Sequence, residues 1–373
     1  MIDRNLFRNN FANTINFGGD GRYFYRIDPT TNASTIDVVD STLCTAANYL
    51  GAGSWTSNPI IASISLAAGK TYRAMAYDPD LEEVAVISTD NTRIAIIDAK
   101  PSSGTFNTLL TTLTTTLSGD STSQAIIYNP FKHYYFLGGG TQIKCWDRSK
   151  NVVIATFPIM QNQNMWFWMN PHTRDLITSN TNVYFLIIRD IGVVGKPILK
   201  CIGGGLNNTV IPSFHLNYND LIFGTQRANN AFVSAMRYPN IMSYLESDYT
   251  ILSSIGVTTN RPMSGNRIST KQNKLFYSTT GLVTGFVDIS NPRAVASITT
   301  HTRTAISSET SAARLCLNGA EDVLAIEPTG GTPQHMHVYD AVNNSYVGYI
   351  SFGKTGVNDN AYTSPLICNR WLN

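Results

Sequence analysis

One residue pattern occurs seven times along this chain, and it restricts the possible folds more than any other feature. Each copy is a short apolar stretch that ends in a polar turn residue; the seven are Asp78, Asn129, Asn170, Asn217, Thr270, Asn318 and Asn369. Successive copies are about 40 to 55 residues apart, the spacing of four-stranded repeat units. The chain is therefore expected to consist of seven similar structural units.

The clearest copy, residues 72 to 98, contains three predicted strands. YRAMAYDP, EEVAVIST and TRIAIID are apolar stretches separated by Asp-Pro and Thr-Asp-Asn turns. Most copies end the third strand in an aspartate about 18 to 22 residues after the turn residue, namely Asp98, Asp147, Asp190, Asp288 and Asp340. A carboxylate at the end of a strand can accept hydrogen bonds from the following backbone N–H groups, so we interpret these residues as turn formers rather than catalytic groups.

The seventh copy is divided between the two ends of the sequence. TSPLICNRWLN supplies an inner strand and stops just after Asn369, whereas NTINFGG is predicted as the second strand and GRYFYRID, ending in Asp28, as the third. Residues 29–59 exceed the repeat and are predicted to be an insertion before an outer strand at IIASISLAA. The sequence therefore predicts an all-β, seven-bladed β-propeller, a single domain over residues 1–373, whose last blade is closed by strands from both termini.

Several third and fourth strands carry a family resemblance. IAIID, IKCWD with VVIATFPI, GFVDI with AVASIT, and HVYDA with YVGYI follow one form, in which a strand ending I-x-I-x-D precedes a short turn and a V-V-A-T-I strand. This form resembles the seven-bladed propellers of the YVTN, WD-repeat-like and lactonase-like groups. The likeness covers nearly the whole chain but includes no family-specific motif, so it implies the fold and leaves the function open.

Composition excludes several kinds of partner. Charged residues make up only 14% of the chain, whereas Asn, Thr and Ser are abundant, and the net charge of +2 is too small for a general affinity for nucleic acid or an anionic membrane. No stretch approaches the 18 or so apolar residues of a membrane span. The N-terminal residues lack the apolar segment of a signal peptide, and five widely spaced cysteines do not form a disulfide framework. We therefore expect synthesis in the cytoplasm and no membrane insertion.

The sequence contains no clear catalytic or metal-binding motif. His335 and His337 share one face of a predicted strand, as a metal pair would require, but no nearby Cys, Asp or Glu supplies an obvious third ligand. No nucleophile elbow, H-E-x-x-H motif or P-loop is present. We therefore predict no catalytic residue, no metal and no cofactor.

One set of polar residues is expected to surround a mouth of the central channel. Aligned across the copies, the starts of the inner strands are Arg73, Gln124, Asn164, Ser213, Asn266, Arg314 and Ser364, with Arg267 nearby. Because the set contains cations and no acids, it could accept a carboxylate, a phosphate or sugar hydroxyls. The simpler interpretation is a hydrated channel without a ligand.

These observations favour a non-enzymatic structural or adhesion propeller that is a component of a phage or virus particle, such as a tail, fibre or host-attachment protein. Its partners would be other protein subunits, with a glycan as a second ligand class. Tyr49 and Trp55 in the insertion are the candidate contact residues, because a long excursion is costly to order without a use. The alternatives are a lactonase-like or polysaccharide-cleaving enzyme that acts at the channel mouth, and an interaction scaffold of the WD-repeat type.

Overall fold

The protein is all-β. The structure, a computed structural model, describes residues 16–28, 34–115, 123–139, 142–158, 165–180, 185–189, 198–202, 209–218, 221–227, 230–237, 251–259, 263–279, 283–302, 306, 309–330, 334–354 and 366–371. These residues contain thirty β-strands and one short 3₁₀ helix. In the described ranges no helix is long and apolar enough to cross a membrane.

Twenty-eight of the strands form seven antiparallel sheets of four strands each. Sheet 1 has the order β30 (Leu366–Cys368), β1 (Tyr23–Asp28), β2 (Thr35–Asp40), β5 (Ile60–Ser65). Sheet 2 contains β6 (Tyr72–Asp78), β7 (Glu83–Ser88), β8 (Arg93–Asp98) and β9 (Leu109–Thr114). Sheet 3 contains β10 (Ser123–Asn129), β11 (Tyr134–Gly139), β12 (Gln142–Asp147) and β13 (Val152–Pro158).

The remaining sheets repeat this consecutive order. Sheet 4 contains β14 (Met165–Met169), β15 (Leu176–Asn180), β16 (Phe185–Arg189) and β17 (Ile198–Ile202). Sheet 5 contains β18 (Thr209–Ser213), β19 (Leu221–Arg227), β20 (Asn230–Arg237) and β21 (Ile251–Thr259). Sheet 6 contains β22 (Met263–Ser269), β23 (Lys274–Thr279), β24 (Val283–Asp288) and β25 (Ala296–Thr302), and sheet 7 contains β26 (Glu309–Leu317), β27 (Val323–Gly330), β28 (His335–Asp340) and β29 (Ser345–Ser351).

The repeated polar residues close turns, as the sequence predicts. At the end of first strands, the Oδ1 atoms of Asp78, Asn129, Asn170 and Asn318 accept hydrogen bonds from backbone N–H groups two to five residues ahead. At the end of third strands, the Oδ1 atoms of Asp98, Asp147, Asp288 and Asp340 do the same. The interpretation of these aspartates as turn formers is confirmed for the four that the structure describes, and Asp190 lies outside the described residues.

Sheet 1 joins the two ends of the chain, but with different strand positions from those predicted. Tyr23–Asp28 is the second strand and pairs with β30, so Asp28 does not end a third strand. Residues 16–19 of the predicted NTINFGG strand form no strand, and residues 13–15 lie outside the described ranges. The misassignment arose because YFYRID has the same local pattern as the third strands of the other copies.

The insertion is correspondingly shorter than predicted. Thr35–Asp40, which the sequence analysis assigned to an insertion at residues 29–59, is the third strand and pairs with both β1 and β5. Asp40 ends it as the other aspartates end theirs, because its Oδ1 accepts a hydrogen bond from Thr42 N. The excursion outside the sheet is residues 41–59, which contain the 3₁₀ helix Ser41–Leu43 and the hairpin of β3 (Tyr49–Gly51) and β4 (Ser54–Trp55).

The sheets pack face to face around their first strands. Each first strand contacts the first strand of the next sheet along the chain, and β30 contacts both β26 and β6. Because both faces of a sheet are covered, β1 and β7 are buried at every position and show no alternation of buried and exposed residues. Among the described residues, the largest buried apolar cluster extends through sheets 1 to 4.

Candidate functional site

A cavity of about 140 Å³ lies among the first strands. Six first strands contribute lining residues, which include Tyr77, Ile126, Phe167, Ser213, Arg267 and Ile367. Sheet 7 contributes Glu321, which lies in the turn after its first strand. The cavity is thus bordered by all seven sheets, and most of the lining side chains are apolar or aromatic.

Two residues of the predicted channel-mouth set, Ser213 and Arg267, line this cavity, and Arg267 is the charged one. It lies in β22, and its guanidinium donates a hydrogen bond from NH1 to the Asn266 carbonyl at 2.9 Å. Its Nε is buried without a hydrogen-bond partner, and among the described residues no carboxylate forms an ion pair with it. Burial lowers the pKa of Arg267 from its ordinary value, because a cation loses hydration in this environment.

Two other lining residues also carry charge, and both have partners. Glu321 accepts hydrogen bonds from Ser269 Oγ at 2.6 Å and from Lys271 N at 2.9 Å. Arg370 donates to the Gly319 carbonyl and lies over the Phe17 ring. The guanidinium of Arg267, with its buried Nε left without a partner, therefore has spare capacity to bind an anion.

Ser213 and Asn266, predicted as neighbours around the channel mouth, are in contact. Ser213 Oγ donates to Asn266 Oδ1 at 2.6 Å, and both residues are buried. The bond joins β18 of sheet 5 to β22 of sheet 6. This pair holds two adjacent sheets together at their first strands.

Arg314, also predicted at the mouth, belongs to a buried ion network. Its NH1 lies 3.4 Å from Glu327 Oε2, while Arg26 Nε lies 2.8 Å from Glu327 Oε1 and Arg26 NH1 lies 3.3 Å from Asp37 Oδ2. Burial lowers the pKa of Arg314 to about 10, partly offset by the charge of Glu327. The predicted ring of cations without acids is therefore wrong at this position, because the neighbouring strand β27 supplies a carboxylate.

The remaining predicted residues of the channel mouth are only partly described. Arg73 lies in β6, half-buried, and desolvation lowers its pKa from the ordinary value. Gln124 lies in β10, but its side chain is outside the described set, as are Asn164 and Ser364 altogether. The channel-mouth ring as a whole stays a prediction.

Tyr49 and Trp55, the predicted partner contacts, pack against sheet 7 of their own chain. Trp55 Nε1 donates to the Tyr349 carbonyl at 3.1 Å, and the Tyr49 ring lies 4.9 Å from the Trp55 ring and 6.4 Å from the Tyr349 ring. Both residues are half-buried. Leu50, between them, is 69% exposed, so the apolar tip of the hairpin faces solvent.

The structure also brings together a cluster that sequence reasoning missed. Glu309 lies beside His335 and His337, and all three side chains are buried. The sequence shows the two histidines two positions apart in one strand. Glu309, however, precedes them by more than twenty residues and belongs to another strand. No local motif connects them, since only the pairing of β26, β27 and β28 places them together.

Comparisons with known proteins support a β-propeller-like fold. No protein-family model and no curated protein matches the chain. A functionally unknown protein from Desulfotomaculum acetoxidans DSM 771 superimposes with a TM-score of 0.66 at 12% identity, over 93% of this chain and 98% of that one. The β-propeller domain of Cps50 (Swd1) from Myceliophteria thermophila gives a TM-score of 0.58 at 8% identity, over 77% and 88%. Such identities establish likeness of fold alone.

Proposed function

We propose that this protein is a non-enzymatic structural or adhesion propeller, a ring of seven blades whose perimeter is covered by neighbouring protein subunits in a larger particle. A phage or virus particle, with the chain as a tail, fibre or attachment component, is the setting that we favour. The observation that carries the proposal is the scarcity of charged residues on the outer strands of the sheets.

Two features support the ring itself. The contacts between first strands pass from β6 through β10, β14, β18, β22 and β26 to β30, which contacts β6 again. The central cavity has lining residues from all seven sheets. A ring closed by strands from both termini would give both features, because each first strand then faces the axis.

The fourth strand of each sheet has a free edge with unpaired backbone groups, and such edges tend to pair with other chains. Soluble proteins usually protect them with charged side chains. Here six of the seven fourth strands contain no Lys, Arg, Asp or Glu, the exception being Lys200 in β17. Irregularities in the pairing register interrupt most of these strands near one end. The remaining length of each interrupted strand still contains no charged residue.

Exposed apolar side chains follow the same distribution. Of the large hydrophobic residues that are exposed in the described chain, four lie on fourth strands: Ile61, Leu110, Val152 and Tyr346. The hairpin of residues 49–55 already covers part of one such strand, since Trp55 donates to a β29 carbonyl. A neighbouring subunit could cover the other edges in a similar way.

The test adds charge to the edges without changing the core. Leu110→Lys/Val152→Lys places two cations on two fourth strands, where both side chains are 42% exposed. Leu81→Lys/Val342→Lys is the matched control, because these side chains are 49% and 54% exposed but lie in turns. In the source cells, wild type and control should sediment with a large particle in a gradient, and the edge variant should stay in the light fractions.

The proposal would be contradicted if the wild-type protein stayed in the light fractions of the gradient, or if the edge variant sedimented like the control. Turnover of lactones or glycans that EDTA abolishes would overturn its non-enzymatic part and favour the lactonase-like alternative. Monomeric wild type that captures single proteins through a ring face would instead favour the WD-repeat-type scaffold.

The partly buried Arg267 favours a second function, binding of a small anionic group such as a carboxylate or a phosphate in the central cavity. Its guanidinium faces the cavity and forms no ion pair with a described carboxylate, so an anion would restore the electrostatic stabilisation lost on burial. Inorganic phosphate or acetate should raise the melting temperature of wild type and not that of Arg267→Gln, with Arg93→Gln as the control. Equal responses in all three proteins would exclude this site.

A further inference from the structure

We propose that Glu309, His335 and His337 bind a divalent transition-metal ion, with Zn²⁺ as the best fit, in sheet 7. The three side chains are 0–1% exposed. Their ligand atoms all lie within 4.8 Å of one another. This site is distinct from the central cavity, whose lining includes none of the three residues.

Strand geometry explains how three residues on two strands converge. His335 and His337 are two positions apart in β28, so their side chains project from the same face of the sheet. Glu309 begins β26, and its register partner in the intervening β27 is Gly330. In the same strand Ile326 is the register partner of His337, so the Glu309 carboxylate crosses β27 to reach the imidazoles of β28.

The atoms that meet are those a metal would use. Glu309 Oε1 lies 2.6 Å from His337 Nε2 and is also in direct contact with His335 Nε2. Two imidazole nitrogens and one carboxylate oxygen form a ligand set that zinc uses with a fourth position for water or another donor. Ligand atoms around a tetrahedral zinc are about 3.4 Å apart, as bond lengths near 2.1 Å require. Small side-chain rotations would open this spacing here.

The surroundings hold the imidazole rings in place. His337 Nδ1 lies 3.1 Å from Tyr346 Oη, so the nitrogen opposite the ligand atom has a hydrogen-bonding partner, as in most histidine metal sites. The two histidine rings are nearly perpendicular, at 85°, and the Tyr349 ring contacts both. Tyr349 is also where the hairpin docks, because its carbonyl accepts the Trp55 hydrogen bond.

Electrostatics favours a cation at this point. A carboxylate taken out of water is costly unless its charge is compensated, and a bound divalent ion would place two positive charges beside it. The ion would also connect the first and third strands of sheet 7 directly, in addition to the backbone ladder. Its expected role is therefore structural, and its loss should loosen the outer strand that carries the hairpin.

The test measures metal content and stability. Wild-type protein is loaded with ZnSO₄, desalted and analysed by inductively coupled plasma mass spectrometry, with melting temperatures recorded before and after treatment with a chelator. About one zinc per chain and a chelator-dependent fall in melting temperature are expected. His337→Gln and Glu309→Gln should lose most of the zinc, whereas the control His133→Gln should keep it, because the His133 side chain is 71% exposed and pairs with Asp80.

Three results would overturn the proposal: wild type that retains no zinc, folded variants that retain as much as wild type, or equal loss in the control. If both variants fail to fold, the imidazole nitrogen signals of wild type in ¹⁵N NMR decide the question. Zinc should then shift two histidines and leave His133 unchanged. A titration in which no buried histidine responds would count against the site.

Discussion

Trp371 should be among the most important single side chains for the stability of this fold. It follows β30, is 3% exposed, and its ring lies 6.1 Å from Phe17 and 5.8 Å from Phe131. Its Nε1 donates to the Tyr128 carbonyl at 2.9 Å. One indole therefore connects the C-terminal strand to the N-terminal segment and to sheet 3.

The magnitude follows from that burial. Replacing a buried tryptophan with alanine typically costs about 3 to 5 kcal/mol, because the transfer free energy is lost and a cavity remains. An unfolding entropy of about 2.1 cal/mol/K per residue gives about 0.8 kcal/mol/K for 373 residues. A loss of about 4 kcal/mol should then lower the melting temperature by about 5 °C.

The assay is thermal and urea unfolding followed by far-ultraviolet circular dichroism, which does not depend on tryptophan fluorescence. Trp371→Phe is the matched control, because it keeps a ring between Phe17 and Phe131 and removes the hydrogen bond to Tyr128. It should lose about 1 to 2 kcal/mol. If Trp371→Ala melts within about 1 °C of wild type, the C-terminal strand is not an integral part of the fold.

Two further predictions concern buried charges. Burial raises the pKa of Glu83 to about 7, against the opposing effect of Arg148. Because the folded state holds this proton more tightly than the unfolded state, the free energy of unfolding should fall as the pH rises from about 4.5 to 7. The melting temperature of Glu83→Gln should decline less over the same pH range. Arg26→Met should lower the free energy of unfolding by about 3 to 5 kcal/mol in urea titrations, since it removes a cation from two buried carboxylates, Asp37 and Glu327. An unchanged midpoint would mean that the cations that remain, Lys354 and Arg314, compensate them fully.

Much of the local structure follows from short-range chemistry that a sequence displays. Turn residues such as Asp78 and Asn318 accept hydrogen bonds from backbone groups a few positions ahead, so their effect depends only on neighbours in the chain. The aspartates that end third strands act in the same way. The all-β fold and the repeat length could therefore be predicted before any tertiary contact was known.

The same local signals failed where strand pairing is not local. YFYRID has the pattern of a third strand, yet it is the second, because it pairs with a strand from the other end of the chain. There Asn369 Oδ1 accepts from Tyr23 N, and Tyr23 O accepts from Asn369 N. Asn318 and Val323 make the same pair of bonds within one hairpin of sheet 7. Sheet 1 thus reproduces a hairpin turn without a continuous backbone.

The sequence by itself determined most of the strands and their turns, since these depend on backbone sterics and hydrogen bonds within a few residues. Only the tertiary structure decided which charged groups meet. It placed Glu327 beside Arg314, left Arg267 facing the cavity, and brought Glu309 to two histidines on another strand. Such contacts depend on register between strands and on side chains that reach across an intervening strand. Neither the register between strands nor the reach of a side chain across a strand is encoded in the spacing of residues along the chain.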